Sequence, residues 1–94
     1  MPNHYFRIAK EQEEKAKDIS ENSKDKSEIM NAFEDAGNSF ANAGFENNAK
    51  ENYSKAFIYA KTKSDKTRIE NKIKKLRTPI SQKEKVFREL EKIK

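Results

Sequence analysis

The chain has 94 residues, of which 33% are hydrophobic and 39% are charged, and its 21 Lys and Arg residues outnumber 16 Asp and Glu residues to give a net charge of +5. A chain of this length forms at most one domain of marginal stability, because it buries only about 60–65% of the surface that its unfolded state exposes. The absence of cysteine excludes a disulfide framework and thiolate metal sites, and the single histidine excludes a zinc site built from histidines. With one histidine and two glycines, no Ser-His-Asp set or phosphate-binding glycine loop can be assembled, so we expect neither catalysis nor a bound cofactor.

Sequence signals for targeting are equally sparse. The longest unbroken apolar run is Ala56–Ala60, which is far shorter than the roughly 20 residues of a spanning helix. No basic n-region followed by an apolar h-region opens the chain. Since a cysteine-free composition also suits a reducing compartment, we expect a cytoplasmic protein without a membrane span.

Positive charge is concentrated in the last third of the chain, where residues 61–94 carry 13 basic and 5 acidic side chains. This basic stretch can contact nucleic-acid phosphates with salt-dependent affinity, or it can be the solvated surface of lysine-rich helices. No aromatic residue lies between Lys61 and Pro79 to stack on bases, so we expect no sequence-specific reading. The candidate nucleic-acid-binding residues are Lys72, Lys74, Lys75, Arg77, Lys83, Lys85 and Arg88.

Helical periodicity runs through the chain without a strand signal, so we expect an all-α fold of about five helices in a single domain spanning 1–94. The N-terminal helix is predicted over 4–21. Its apolar stripe is thin, which means that the helix must lean on a partner. The stripe consists of Tyr5, Ile8, Ala16 and Ile19.

Two further helices are predicted over 28–43 and 46–62, joined by a very short turn into a hairpin over 28–63. Ser27 is a plausible N-cap of the first of them. Gly44 follows its last turn, where glycine can adopt the left-handed conformation that ends a helix.

A closing helix is predicted over 65–77, after a Ser64 cap and before Pro79, with an apolar face of Ile69, Ile73 and Leu76. A basic C-terminal helix over 81–93 opens with the capping box Ser81–Glu84. Alternatively, the heptad register continues through the proline as one coiled-coil seam, at a cost of about 3 kcal/mol for the proline. The residues of that register are Ile69, Ile73, Leu76, Ile80, Lys83, Phe87 and Leu90.

Eight residues of fixed type are spaced in register across residues 30–63: Phe33, Ala36, Gly37, Phe40, Gly44, Ala49, Tyr53 and Ala56. This pattern resembles a single tetratricopeptide repeat, a helical hairpin of 34 residues. The resemblance implies one repeat-like antiparallel hairpin at the centre of the fold. A single unit cannot bury both of its faces, so the other helices must cover it or pair with another chain.

The glycine inside the predicted helix 28–43 calls for a physical reason, because Gly37 costs about 1 kcal/mol relative to alanine. We expect the paired helix to approach closely there, with the small side chains of Ala49 and Ala56 at the crossing. The aromatic residues two turns apart in the first helix are expected to interleave with those of the second. These residues are Phe33 and Phe40 on one side, and Tyr53 and Phe57 on the other.

In tetratricopeptide repeats the first helix of each hairpin lines a partner-binding groove, and the resemblance places Asn31, Glu34, Asn38 and Asn42 in that groove. Independently of the family, the three asparagines fall on one helix face, since they are seven and four residues apart. Side-chain amides both donate and accept hydrogen bonds, so they can grip the backbone of a bound peptide. The alternative is a solvated helix face.

These observations favour a non-enzymatic interaction, adaptor or regulatory module that binds a peptide, a partner helix or a second copy of itself. One alternative is a nucleic-acid-associated accessory protein that uses the basic last third. Another is a small inhibitor or regulator, of the type that phages, viruses or plasmids encode, which docks on a larger enzyme. The thin apolar stripes are the reason to expect self-association.

Overall fold

The structure, a computed structural model, describes the backbone of residues 2–76 and the side chains from His4 onward. Within this part of the chain there are four α-helices and no strand, which confirms the all-α expectation there. The predicted C-terminal helix 81–93, its capping box and the heptad register beyond Pro79 lie outside the described residues. The four helices are α1 (Pro2–Asn22), α2 (Lys26–Asn42), α3 (Glu46–Tyr59) and α4 (Lys63–Lys75).

The turn between α2 and α3 is built on Gly44, as predicted. Gly44 has φ +88, the left-handed conformation that costs glycine no steric clash. Its amide donates to the carbonyl of Ala41 at 3.1 Å, and the amide of Phe45 donates to the carbonyl of Phe40 at 2.9 Å. These two bonds form a Schellman motif, which satisfies the last carbonyls of α2 and reverses the chain.

The start of α2 differs from the prediction, because Asp25 and not Ser27 is the N-cap. One oxygen of the Asp25 carboxylate accepts from the amides of Ser27 at 2.9 Å and Glu28 at 3.4 Å. A carboxylate at this position also interacts favourably with the positive end of the helix dipole, which a neutral hydroxyl does less well. Ser27 therefore lies inside the first turn of the helix.

The N-cap of α4 also differs from the prediction. The Thr62 hydroxyl accepts from the amide of Asp65 at 3.0 Å, so the helix begins at Lys63, and Ser64 is not the cap. The preceding helix ends at Tyr59 and not at residue 62, since the backbone of Ala60 is extended. The chain therefore turns between α3 and α4 within residues 60–62.

The helices α2 and α3 cross closely at Gly37, which confirms the expected close approach. A Cβ placed at Gly37 would lie 2.6 Å from Cδ1 and Cε1 of Tyr53, so no side chain fits without a shift of that ring. The group over the glycine is therefore the Tyr53 ring and not the side chains of Ala49 and Ala56, although both alanines are fully buried.

The aromatic side chains of the hairpin pair differently from the expected interleaving. Phe33 stacks on Tyr59 with ring centroids 6.3 Å apart and planes 11° apart. Phe40 packs edge-on against Phe6 of α1, at 5.9 Å between centroids. Because residue 33 meets residue 59 while Gly37 meets Tyr53, α2 and α3 run antiparallel.

The buried face of α1 is rotated from the predicted stripe. Tyr5 is 62% exposed and Ile8 is 38% exposed, whereas Ala9 and Ala16 are fully buried. Two small alanines allow α1 to lie close to the hairpin, and the ring of Phe6 packs against the core from the same side. Of the predicted stripe, only Ala16 is fully buried, and Ile19 packs against the core while partly exposed.

The helix α4 closes the other side of the hairpin through the predicted apolar residues. Ile69 is fully buried, while Ile73 and Leu76 are half-buried against the core. The rest of this helix is polar and mostly exposed. In the part of the chain that the structure describes, no helix has both the length and the hydropathy that crossing a bilayer requires.

Candidate functional site

One face of α2 is polar and remains uncovered by the other described helices. Asn31, Asp35 and Asn42 are exposed, and Asn38 is half-buried. Their steps of four, three and four residues keep them on one side of the helix. We call this row the α2 face.

On one side, the α2 face is bordered by α1. The Ser39 hydroxyl of α2 donates to the Gln12 side chain, which ties the two helices together. A groove of about 430 Å³ lies between them, with Ile19 and Ala32 among its apolar residues. The polar residues that line it are Gln12, Lys15, Asp25, Ser27, Glu28, Asn31 and Asp35.

On the other side, an ion cluster around the buried Glu34 joins α2 to α4. Glu34 is only 6% exposed, and its two oxygens accept from Nε and Nη2 of Arg68, both at 2.9 Å. The Lys72 ammonium donates to the same carboxylate at 2.7 Å. Arg68 in addition donates to Asp65 at 2.6 Å. Glu34 therefore lies beneath α4 and not on the exposed α2 face.

The charge of Glu34 is neutralised inside the chain. The hydrogen bonds from Arg68, together with those from Lys72, lower the pKa of Glu34 despite its burial. The same contacts raise the pKa of Arg68. A carboxylate held in this way contributes little net charge to the neighbouring α2 face.

Asn38 connects the ion cluster to the helix crossing. Its Oδ1 accepts from the Tyr53 hydroxyl at 2.6 Å and from Lys72 at 3.2 Å. Burial, with the nearby charge of Glu34, raises the pKa of Tyr53, so this hydroxyl stays a donor. Among residues 2–76, the Nδ2 of Asn38 donates to no other group, which leaves a donor on the α2 face.

Three of the seven candidate residues of the basic stretch lie in the part of the chain that the structure describes. Lys72 is bound to Glu34, and Lys74 pairs with Glu70 at 3.1 Å one turn earlier in the same helix. Lys75 is exposed at the end of α4. The remaining four candidates, Arg77, Lys83, Lys85 and Arg88, lie outside the described residues.

A second buried polar pair was not foreseen from the sequence. Asn52 of α3 is fully buried and donates from Nδ2 to Glu13 of α1 at 2.9 Å, while Lys10 donates to the other Glu13 oxygen at 3.0 Å. Burial opposes the ionisation of Glu13, but the hydrogen bonds from Asn52 and Lys10 prevail and lower its pKa. A signal existed: each residue lies between two alanines of a small-residue stripe. The stripes are Ala9, Glu13 and Ala16 in α1, and Ala49, Asn52 and Ala56 in α3.

The α2 face is thus a row of side-chain amides with one carboxylate, beside a groove whose lining includes the apolar Ile19 and Ala32. The amides offer paired donors and acceptors, and Ile19 and Ala32 offer a place for an apolar side chain. A comparison of the chain with protein-family models, with curated proteins and with solved structures found no match.

Proposed function

We propose that this chain is a non-enzymatic interaction module whose α2 face binds a peptide or a helix of a partner protein. The observation that carries the proposal is the exposed row of Asn31, Asp35 and Asn42, which lies beside an open groove. The neighbouring carboxylate of Glu34 is already neutralised by Arg68 and Lys72. Amides exposed in a row, with Ile19 and Ala32 in the lining of the groove beside them, suit recognition by hydrogen bonds and one or two anchoring side chains.

The chemistry of the groove defines the partner that fits it. Glu28 and Asp35 form no ion pair with any residue in the described part of the chain, and Lys15 is the one basic residue that lines the groove. The groove therefore favours a segment with basic residues flanking an apolar one. Salt should weaken this contact only in part, because amides and apolar atoms contribute as well.

The resemblance to a tetratricopeptide repeat remains a prediction within this proposal. Two observations support it: the left-handed Gly44 at the turn, and the close crossing of Tyr53 over Gly37. Under this interpretation α2 is the groove-lining helix, and α4 is the helix that closes the open end of a single repeat.

The experiment compares the full chain with two double variants in partner capture. N31A/N42A removes the exposed amides of the α2 face, and neither of these side chains has a hydrogen-bond partner in the described structure. The control N47A/N71A removes two exposed asparagines from α3 and α4.

Each captured protein is identified and its affinity for the three chains is then measured by titration calorimetry. We expect the N31A/N42A chain to bind at least tenfold more weakly, and the control to bind like the original chain. A partner whose affinity is equal for all three chains, or the lack of any partner, overturns the proposal.

A further inference from the structure

The Glu34 carboxylate receives all of its hydrogen bonds, within the described part of the chain, from α4. Nε and Nη2 of Arg68 and Nζ of Lys72 donate to its two oxygens. The hairpin of α2 and α3 therefore presents an acceptor whose donors must come from a helix that packs beside it.

The spacing of the cations on α4 matches the spacing of the acceptors on α2. Arg68 and Lys72 are four residues apart, and so are Glu34 and Asn38. Lys72 donates to Glu34 at 2.7 Å and to Oδ1 of Asn38 at 3.2 Å. A step of four residues places side chains on one face of a helix, one turn apart. The acceptors thus suit a helix with two cations one turn apart.

The hairpin orients the Asn38 acceptor without help from α4. The Tyr53 hydroxyl donates to its Oδ1 at 2.6 Å, and the Tyr53 ring lies over Gly37. Between the two cations of α4, Ile69 is fully buried in the apolar core to which Tyr53 also belongs. Because the acceptor is already oriented, a helix that binds here loses little free energy to rearrangement of the hairpin.

The helix α4 is attached less firmly than the centre of the domain. It contributes one buried residue, Ile69, whereas α2 contributes seven. The side chains of Arg68 and Lys72 are 41% and 32% exposed, so water and competing cations can reach their ion pairs. Holding its 13 residues in a helix costs conformational entropy at each of them. Release of α4 therefore exposes little apolar surface and restores this entropy.

The other three helices are joined by contacts in which α4 has no part. Phe6 of α1 packs against Phe40 of α2, and the Tyr53 ring of α3 packs against Gly37 of α2. The surface that α4 covers is thus supported from below by α1 and α3 themselves.

We propose that Glu34 and Asn38 form a receptor site for a basic amphipathic helix of a partner protein, and that α4 occupies this site in the free chain. The partner helix carries two cations four residues apart and an aliphatic side chain directly after the first, as α4 does at Arg68, Ile69 and Lys72. It displaces α4 by making the same contacts. A helix without cations is rejected, because it would bury the Glu34 carboxylate without a partner.

This receptor site goes beyond the proposed function. It lies on the border of the α2 face that α4 covers, whereas the groove of the proposed function lies on the border with α1. Neither site requires the other to be occupied.

The test uses a fluorescent peptide with the sequence of residues 62–76 as the partner helix and the full chain as the receptor. The variant R68A/K72A weakens the attachment of the chain's own α4 but keeps Glu34 and Asn38. We expect this variant to bind the peptide at least tenfold more tightly than the original chain in fluorescence anisotropy. In the original chain, the tethered α4 competes with the peptide at a millimolar effective concentration.

Two further variants and a second peptide are the controls. K66A/K74A removes two exposed cations of α4 that do not contact Glu34 or Asn38, and we expect it to bind the peptide as weakly as the original chain. Glu34→Gln added to R68A/K72A should weaken peptide binding at least tenfold. A peptide of the same composition in scrambled order should bind to none of these chains.

Amide hydrogen exchange of the original chain tests the release of α4 without any substitution. We expect the amides of α4 to exchange at urea concentrations that leave those of α2 and α3 protected. Loss of protection in α2 and α4 at the same urea concentration would show that α4 does not leave separately, which overturns the proposal.

Three results of the binding experiment also overturn it. The first is equal peptide affinity of the original and R68A/K72A chains, and the second is binding that survives Glu34→Gln. The third is a dimer of the original chain, detected by light scattering and removed in R68A/K72A, since a second copy is then the occupant. Because the peptide replaces the partner, these results are independent of the amide variants that test the proposed function.

Discussion

The absence of a side chain at Gly37 determines how closely α2 and α3 cross. Its missing side chain gives the Tyr53 ring direct access to the α2 backbone. The ring is held from its other end as well, since its hydroxyl donates to Asn38 at 2.6 Å. Both contacts fix the distance between α2 and α3 at their centre.

We expect Gly37→Ala to destabilise the fold, although alanine is the better helix former by about 1 kcal/mol. The new methyl group would meet the ring at 2.6 Å, and overpacking of this kind costs about 1–3 kcal/mol. Thermal unfolding followed by circular dichroism measures the net effect, because a loss of 1 kcal/mol lowers the Tm of a domain of this size by about 4–8 °C. An unchanged or higher Tm would contradict the close crossing.

Gly44 is required for a different reason, because its φ of +88 has ample space around it. We expect Gly44→Ala to cost about 1 kcal/mol through backbone strain, and Gly44→Asn to cost less, since asparagine tolerates the left-handed region. Urea unfolding of the two variants provides the comparison. Equal stability of both variants would show that the turn does not depend on this conformation.

At the scale of the helices, charged groups add to the apolar contacts of Ile69, Ile73 and Leu76 in holding α4 to the rest of the fold. Ile69 is the one fully buried side chain of α4, whereas the Glu34 carboxylate accepts three hydrogen bonds from it. The Glu13 and Asn52 pair acts similarly between α1 and α3. Buried polar contacts of this kind favour one register of the helices, because a shift would separate the carboxylates of Glu34 and Glu13 from their hydrogen-bond donors.

We expect Glu34→Gln to lower the free energy of unfolding by about 1.5–3 kcal/mol at neutral pH, the usual contribution of hydrogen bonds to a charged group. The folded-state pKa of Glu34 is lowered, so its contribution is complete above about pH 5 and is lost as the pH falls. The Gln variant should therefore show a flatter loss of stability in acid than the original chain.

Urea titrations between neutral pH and about pH 3 measure this difference. The matched control is Glu70→Gln, which removes an exposed glutamate whose pair with Lys74 lies on the surface of α4. Exposed pairs contribute about 0–1 kcal/mol, so the control should follow the original chain closely. Parallel acid curves for all three chains would contradict the role given to Glu34.

At the scale of the whole molecule, stability is unevenly distributed among the described helices. The helix α2 contributes seven buried residues, and α4 contributes one. A helix with more buried apolar contacts opens less often, so its amides are better protected from hydrogen exchange. The centre of the domain is therefore the α2 and α3 pair, and α4 is its least protected described helix.

We expect amide hydrogen exchange to be slowest in α2 and α3 and distinctly faster in α4. Salt should widen the gap, because Arg68 and Lys72 are partly exposed and the Debye length falls to about 3 Å at 1 M. Exchange measured by NMR at low and high salt tests this. Uniform exchange across the four helices would show that the domain opens as a single unit.

Features of the fold that depend on local chemistry can be predicted from the amino-acid sequence. Helical spacing indicated the all-α class, and Gly44 marked the turn because only glycine adopts its conformation without strain. Gly37 indicated a close crossing, since no other benefit offsets a glycine inside a helix. The buried position of Ile69 also followed from its place on a periodic apolar face.

The tertiary structure decided what depends on contacts between distant residues. The spacing of apolar residues predicts the buried face of a helix only approximately. In α1 the buried face is the one next to the predicted stripe, because the small Ala9 and Ala16 and the ring of Phe6 pack against the hairpin. The sequence predicts Glu34 in the partner-binding groove, but in the structure Arg68, 34 positions later, binds its carboxylate. Local spacing carries no information about such a pairing, because it forms only when α4 packs against the hairpin.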